Sequence, residues 1–282
     1  MAKILDGKKI ARRYREALKR EIQELHAQGM KPTLADIVVG DNPACVAYFN
    51  VKKKLSEELG IHFLGVPMPA STTENELIRT ITQYNEREEV DGIFVELPLP
   101  VGINSKKIRN AIAPQKDVDG INPVNLGRLM IGEEAMLPAT PYGVIEFLKS
   151  ESVQLEGKEA VVVGRSEVVG KPLALLLLQE NATVTICHSK TRNLAEKTRR
   201  ADILCVAVGS PGLIRAPMVK EGAVVIDIGM TATKNGIVGD VAFEEVSKKT
   251  SLITPVPGGV GPMTTTMIMR NVVKAAKIRA GM

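Results

Sequence analysis

Tryptophan is absent from this chain, and four tyrosines and five phenylalanines are all that stand in for it. A core must therefore be built from Val, Ile, Leu, Met and Ala. Only three cysteines occur, Cys45, Cys187 and Cys205, with neither a C-x-x-C pair nor zinc spacing. An odd count with no framework excludes a disulfide-stapled secreted fold and suits free thiols in a reducing, cytoplasmic setting. Nothing in that spacing calls for a metal. The longest apolar run, Leu173 to Leu178, is far too short to span a bilayer. The N-terminus mixes Asp6, Glu16, Glu21 and Glu24 with its bases and lacks an apolar signal core, so neither secretion nor import is expected. Bases exceed acids by only 37 to 32, and no basic block marks a nucleic-acid surface. That mild surplus suits an anionic small molecule better. Internal repeats and low-complexity tracts are also missing.

What is present is a steady alternation of β-branched runs and helical patterns over 282 residues, long enough for two domains. The pattern predicts a helix over 7–28, a strand over 33–39, a helix over 43–59 opened by Pro43, and a strand over 61–66. Thr73 to Glu76 is a capping box that starts a third helix. A strand over 91–96 is stopped by the prolines of "LPLP". The stretch from Asp117 to Val144 reads as loop, joined to a helix over 141–150. Strands then follow over 160–163, 183–187, 203–208, 223–228 and 252–254, and a last helix runs from beyond the loop "PVPGGVGPMT" to about 278. The expected boundaries are 1–139 for the first domain, with 267–282 returning to it, and 140–266 for the second.

The turn after the strand over 160–163 reads "GRSEVVGKP". It carries Gly164 and Gly170 but lacks the G-x-G-x-x-G spacing of the usual dinucleotide loop. Backbone N–H groups and a helix N-terminus there suit phosphate. NAD enzymes place an acid at the end of the next strand to hold the ribose 2′-hydroxyl. Here that strand ends "CHSKTRN", with Ser189, Lys190 and Arg192 and no acid. A hydroxyl and cations, with Arg165 beside the first glycine, would bind a 2′-phosphate, so the expected cofactor is NADP. A bland alternative is that the glycines merely let a strand meet a helix. His188 is left open among a structural residue, a ribose contact and a catalyst.

In the first half, Tyr48 and Lys52 share one helix face at i, i+4. Lys53 and Lys54 read as solvated. Glu96 ends a strand, and Asp117 and Asp119 lie in a loop. A tyrosine, a lysine and carboxylates meeting at the carboxyl ends of parallel strands would form an acid–base constellation. Spacing alone does not bring them together.

Taken in order, Y-x-x-x-K at 48–52, "LPLP" at 97–100, "KDVDGI" at 116–121, "GRSEVVGKP" at 164–172, "ATVTICHSKT" at 182–191, "GAVVIDIG" at 222–229 and "TPVPGGVGPMT" at 254–264 resemble the bifunctional methylenetetrahydrofolate dehydrogenase/methenyltetrahydrofolate cyclohydrolase family. The resemblance covers nearly the whole chain. It implies a homodimer of one-carbon metabolism, with links to purine biosynthesis. Each subunit would be α/β, with an N-terminal folate-binding catalytic domain, a Rossmann-like parallel-sheet NADP-binding domain and the active site in the cleft between them. The implied reactions are oxidation of 5,10-methylenetetrahydrofolate with NADP and hydrolysis of the methenyl product to 10-formyltetrahydrofolate. Lys52, supported by Tyr48 and with Glu96 at hand, would handle protons in hydrolysis, and Asp119 would hold the pterin. The folate would also meet Leu97, Pro98, Pro257, Gly258, Gly259, Pro262 and Thr265. The cofactor would meet Gly164, Arg165, Ser166, Gly170, His188, Ser189, Thr191, Gly209 and Ile228.

Four positions depart from the family pattern. Glu96 stands where Gln is usual, Cys45 where Ser is usual, Asn122 in place of a common His, and Ala139 in place of Cys. A carboxylate at 96 close to Lys52 would favour the ammonium and weaken the cyclohydrolase. Glu96 protonated in a dry cleft would instead mimic the amide. Two other readings remain: a shikimate-type NADP dehydrogenase, against which Tyr48–Lys52 and "KDVDG" weigh, and a folate- or nucleotide-binding protein with little turnover.

Overall fold

The computed structural model describes residues 2–234 and 236–282. Two compact units emerge, one of residues 14–139 with 267–282, the other of residues 1–13 with 140–266. The first thirteen residues thus depart from the expected boundary. The cause is backbone pairing: β1 (Lys3–Ile4) adds a parallel strand to a later one near residue 252, and α1 (Gly7–Ala27) contains the division.

In the unit of residues 14–139, β2 (Thr33–Val39) is wholly buried and central. The chain leaves it through α2 (Pro43–Leu59), pairs β3 (His62–Met68) on one side, passes α3 (Glu74–Glu86), and pairs β4 (Gly92–Val95) on the other. Both pairings are parallel, so the strand order reverses at β2, the kind of switch point where α/β sheets bind ligands. The capping box at α3 is present, with Thr73 N–H and Glu76 Oε2 2.7 Å apart. Ala35, Ile37 and Val39 alternate onto one face of the sheet and pack on Leu77, Ile81 and Ile108, the last from α4 (Ser105–Ala111). Strand periodicity sends Asp36 to the opposite face.

The stretch from Asp117 to Val144 is more regular than expected, with α5 (Pro123–Ile131) and the start of α6 (Ala139–Ser150) inside it. Asn122 is the reason α5 forms there. Its Oδ1 accepts from the Val124 N–H at 2.8 Å, and its Nδ2 donates to the Ile112 carbonyl at 3.0 Å. The residue standing where the family has histidine is therefore a helix cap.

The other unit holds a parallel sheet of β5 (Glu159–Val163), β6 (Thr183–Cys187), β7 (Ile203–Val206), β8 (Val224–Asp227), β1 and a short last strand. Helix α7 (Gly170–Gln179) follows β5 and α8 (Leu194–Thr198) follows β6. An antiparallel pair, β9 (Thr231–Thr233) and β10 (Gly236–Val238), precedes α9 (Phe243–Val246) and β11 (Leu252–Ile253). The order β1-β11-β8-β7-β5-β6 reverses at β5, so a second switch point lies between the carboxyl ends of β5 and β7. Helix α10 (Gly261–Arg279) begins earlier than expected, and Pro262 and Thr265 lie in its first turns rather than in a loop.

Candidate functional site

The buried stripe of α2 runs through Cys45, Lys52, Leu55, Ser56 and Leu59, at helical spacings of three and four. One lysine in that stripe is the anomaly. Lys52 is fully buried, whereas Lys53 and Lys54 are exposed. Its Nζ forms ion pairs with Glu96 and with Asp36, the latter at 3.1 Å. It also lies 4.4 Å from the Tyr48 ring centre and 3.7 Å from that of Phe94, cation–π distances. The sheet accounts for this grouping. Asp36 is in register with Phe94, and the Glu96 N–H donates to the Ile37 carbonyl at 2.9 Å, extending the β2–β4 ladder by one residue. Asp36, Phe94 and Glu96 therefore share the face that α2 covers.

Burial dominates the electrostatics. It pushes the Asp36 carboxyl up to about 7, opposed by Lys52 and reinforced by Glu96. It also raises Glu96, against the pull of Lys52. The Tyr48 hydroxyl is driven well above its ordinary range, first by burial and then by the charges of Asp119, Glu96 and Asp36. Asp119 keeps some exposure, yet desolvation with the nearby Asp117 lifts its carboxyl to about 7, while Lys52 draws it down. Tyr48, Lys52, Glu96 and Asp119 thus stand within electrostatic reach of one another. Asp117 differs from Asp119 in accepting from the Gly120 and Asn122 N–H groups and from Asn125 Nδ2. It braces the loop that carries Asp119. Leu97 and Pro98 are exposed beside Glu96, and the Cys45 thiol donates to the Pro98 carbonyl at 3.6 Å.

Asp36 and Phe94 are the members that sequence reasoning missed. A signal existed, since Asp36 is the one charged residue in a strand that is otherwise apolar after Thr33.

In the other unit, Gly164 closes β5 with φ 131°, and a Cβ there would sit 2.3 Å from the Ala207 carbonyl oxygen. A Cβ on Gly170 would meet the Gly164 carbonyl oxygen at the same distance. These glycines are dictated by close backbone approach at the switch point. Ser166 Oγ accepts from the Val169 and Gly170 N–H groups at 3.1 and 3.2 Å, capping α7. His188 and Thr191 close a turn, with the His188 N–H donating to Thr191 Oγ1 at 2.8 Å and His188 Nδ1 accepting from the Lys190 N–H. That turn leaves Ser189, Lys190 and Arg192 exposed, as is Arg165. The arrangement suits the phosphate-bearing end of NADP, and no carboxylate occurs from His188 to Asn193.

Gly209 and Ile228 follow β7 and β8. The N–H groups of Val208, Gly209 and Ser210 all donate to the buried Asp240 carboxylate, at 2.7, 3.0 and 2.6 Å. Gly209 therefore contributes loop shape rather than a free donor. Pro257 and Gly258 lie in a turn whose Gly258 carbonyl accepts from the Gly7 N–H, while Gly259 is buried against the Pro255 carbonyl. Thr265 Oγ1 donates to the Pro262 carbonyl.

Comparison with known proteins finds matches for both units. Residues 5–119 match the family model described as tetrahydrofolate dehydrogenase/cyclohydrolase, catalytic domain, and residues 138–280 match its NAD(P)-binding domain. The bifunctional protein FolD of Bacillus subtilis is 53% identical over 277 residues, 98% of either chain. The crystal structure of the bifunctional FolD methylenetetrahydrofolate dehydrogenase/cyclohydrolase of Campylobacter jejuni is similar with TM-score 0.97 and 48% identity, covering 99% of this chain and 100% of that one. The Trypanosoma brucei dehydrogenase-cyclohydrolase, solved with NADP and an inhibitor, has TM-score 0.94 and 37% identity, covering 99% and 98%. The shikimate 5-dehydrogenase of Thermus thermophilus, at 16% identity and TM-score 0.54 over 87% of this chain and 99% of that one, shares the fold alone.

Proposed function

The chain belongs to the tetrahydrofolate dehydrogenase/cyclohydrolase family, and from that premise we propose how its own residues divide the work of the two reactions. It oxidises 5,10-methylenetetrahydrofolate with NADP and hydrolyses the methenyl product to 10-formyltetrahydrofolate. NADP supplies the hydride acceptor. Gly164 and Gly170 admit the cofactor's backbone-lined approach, Arg165 and Ser189 pair with its 2′-phosphate, and His188, Thr191, Gly209 and Ile228 shape the surrounding turns. Ser166 holds the N-terminus of α7 in place for the pyrophosphate.

Asp119 accepts hydrogen bonds from the pterin's amino and ring N–H donors, and Leu97 and Pro98 line the folate's path. Hydride departure from the methylene carbon asks no side chain to remove a proton. Addition of water to the methenyl cation does, and Lys52 with Tyr48 handles it. The observation that carries this reading is the burial of Lys52 among Tyr48, Glu96 and Asp36, an expensive arrangement that folding alone does not require.

Following NADPH and methenylfolate separately tests it. Lys52→Gln retains dehydrogenase turnover while hydrolysis collapses. A proportional fall in both activities refutes the division. A homodimer is also proposed, supported by the outermost strand β6 with Ile186 42% exposed; light scattering decides it. Three buried free thiols accord with a cytoplasmic location.

A further inference from the structure

Two acids lie buried at the carboxyl edge of the larger sheet, Asp227 as the last residue of β8 and Asp240 shortly after β10. They stand within electrostatic reach of each other. Like charges held side by side out of water are unfavourable, so their placement needs compensation. Main-chain N–H groups supply it. Asp227 accepts from the Gly229 and Asp240 N–H groups at 3.0 Å and from that of Val241 at 2.9 Å. Asp240 accepts the three N–H groups of residues 208–210. The neighbouring glycines are fitted to these acids. A Cβ on Gly239 would stand 1.9 Å from Asp227 Oδ2, and one on Gly229 would stand 2.2 Å from Asp240 Cγ. Main-chain groups at a sheet's rim can bond to water instead. Here two acids take them, and the segments that leave β7 and β8 are tied together. The Asp227 N–H also donates to Thr254 Oγ1 at 2.7 Å, which joins the segment after β11. The loop after β7 in turn abuts the glycine turn after β5, through the Ala207 carbonyl beside Gly164.

We propose that Asp240 is a positioning residue for NADP: it holds the loop 208–210 in its binding shape against the Gly164 turn before the cofactor arrives, with Asp227 as its anchor. This rests on the reading above that NADP lies along Gly164, Gly209 and Ile228. Asp240 acts through the loop and not on the cofactor itself, because the loop's N–H groups all turn inward to its carboxylate. A loop already shaped loses little freedom when a ligand binds, so its affinity comes from preorganisation. Asparagine has the outline of aspartate but a single acceptor oxygen, and its amide nitrogen only donates. In Asp240→Asn that nitrogen must face at least one of the three N–H groups, and the loop opens. Gly229→Ala perturbs the same carboxylate from its other side and leaves its charge in place.

The test compares wild type with Asp240→Asn and Gly229→Ala in the full-length protein. Calorimetric titration with NADP should show binding weakened about tenfold in both variants, equivalent to about 1.4 kcal/mol. The KM for NADP should rise by a similar factor, while dehydrogenase kcat at saturating cofactor falls much less. Hydrolysis of methenylfolate supplied without cofactor should stay within about twofold of wild type, since the residues proposed for it lie elsewhere. Amide hydrogen exchange over 208–210 should speed up in the cofactor-free variants and slow again when NADP is added. Unchanged NADP affinity in both variants overturns the proposal. So does an equal loss of NADP binding and cofactor-free hydrolysis, or failure of both variants to fold, since each marks a purely structural residue. Should Asp240→Asn alone fail to fold, Gly229→Ala gives the same readout. NADP binding indifferent to Gly164→Ala overturns the cofactor's placement itself, a result separable from an indifferent Asp240.

Discussion

The cluster around Lys52 makes a quantitative demand on stability. Asp36→Asn leaves Lys52 paired with Glu96, and Glu96→Gln leaves it paired with Asp36. Each single change removes one of two negative charges flanking one positive charge, so each should shift stability by no more than about 1 kcal/mol. The double variant strips both partners from a fully buried ammonium, and an uncompensated buried charge costs roughly 3–5 kcal/mol. Urea denaturation at pH 8, where Asp36 is ionised, should therefore show a coupling of about 2–4 kcal/mol beyond the sum of the singles. Additivity to within about 0.5 kcal/mol refutes the reasoning, because Lys52 would then not depend on either carboxylate. A pH series adds a second check. Asp36 is raised to about 7 by burial, so between roughly pH 4 and pH 7 the native state binds more protons than the unfolded chain. Stability falls as pH rises through that window, and Asp36→Asn should flatten part of the slope. A slope unchanged in the variant rules out Asp36 as its source.

Arg165→Ala should weaken NADP by roughly 1.5–3 kcal/mol, the worth of a charge-assisted hydrogen bond, and leave NAD little affected; equal losses in titrations of both cofactors would remove Arg165 from the 2′-phosphate. Glu96→Gln should speed hydrolysis and move its pH profile toward neutral, because one anion fewer stabilises the ammonium. Slower or unchanged hydrolysis with dehydrogenase intact contradicts that. Gly164→Ala forces a side chain into positive φ and against the Ala207 carbonyl, so it should cost at least about 1–3 kcal/mol by denaturation midpoint and impair NADP binding. Wild-type stability and affinity would show that the turn relaxes freely.

Residue order by itself determined the alternation of strands and helices, because periodicity of burial is local: Thr33–Val39, Pro43–Leu59 and Thr183–Cys187 are read to the residue. It also determined the glycine turn after β5, the acid-free end of β6 and the pairing of Tyr48 with Lys52 on one helical face. Tertiary structure decided what those features meet. Asp36 becomes a partner of Lys52 only because parallel pairing sets it beside Phe94 and α2 closes over that face, a contact between residues sixteen apart with a loop and nearly three turns of α2 between them. The buried Asp240 takes the three N–H groups of 208–210 from some thirty residues away, which no short motif could announce. The N-terminal strand joined β11 for the same kind of reason, a backbone pairing across nearly the whole chain. Local spacing encodes which face a side chain takes. Only the sheet's register and the strand order decide which charges end up sharing a space too dry to hold them independently.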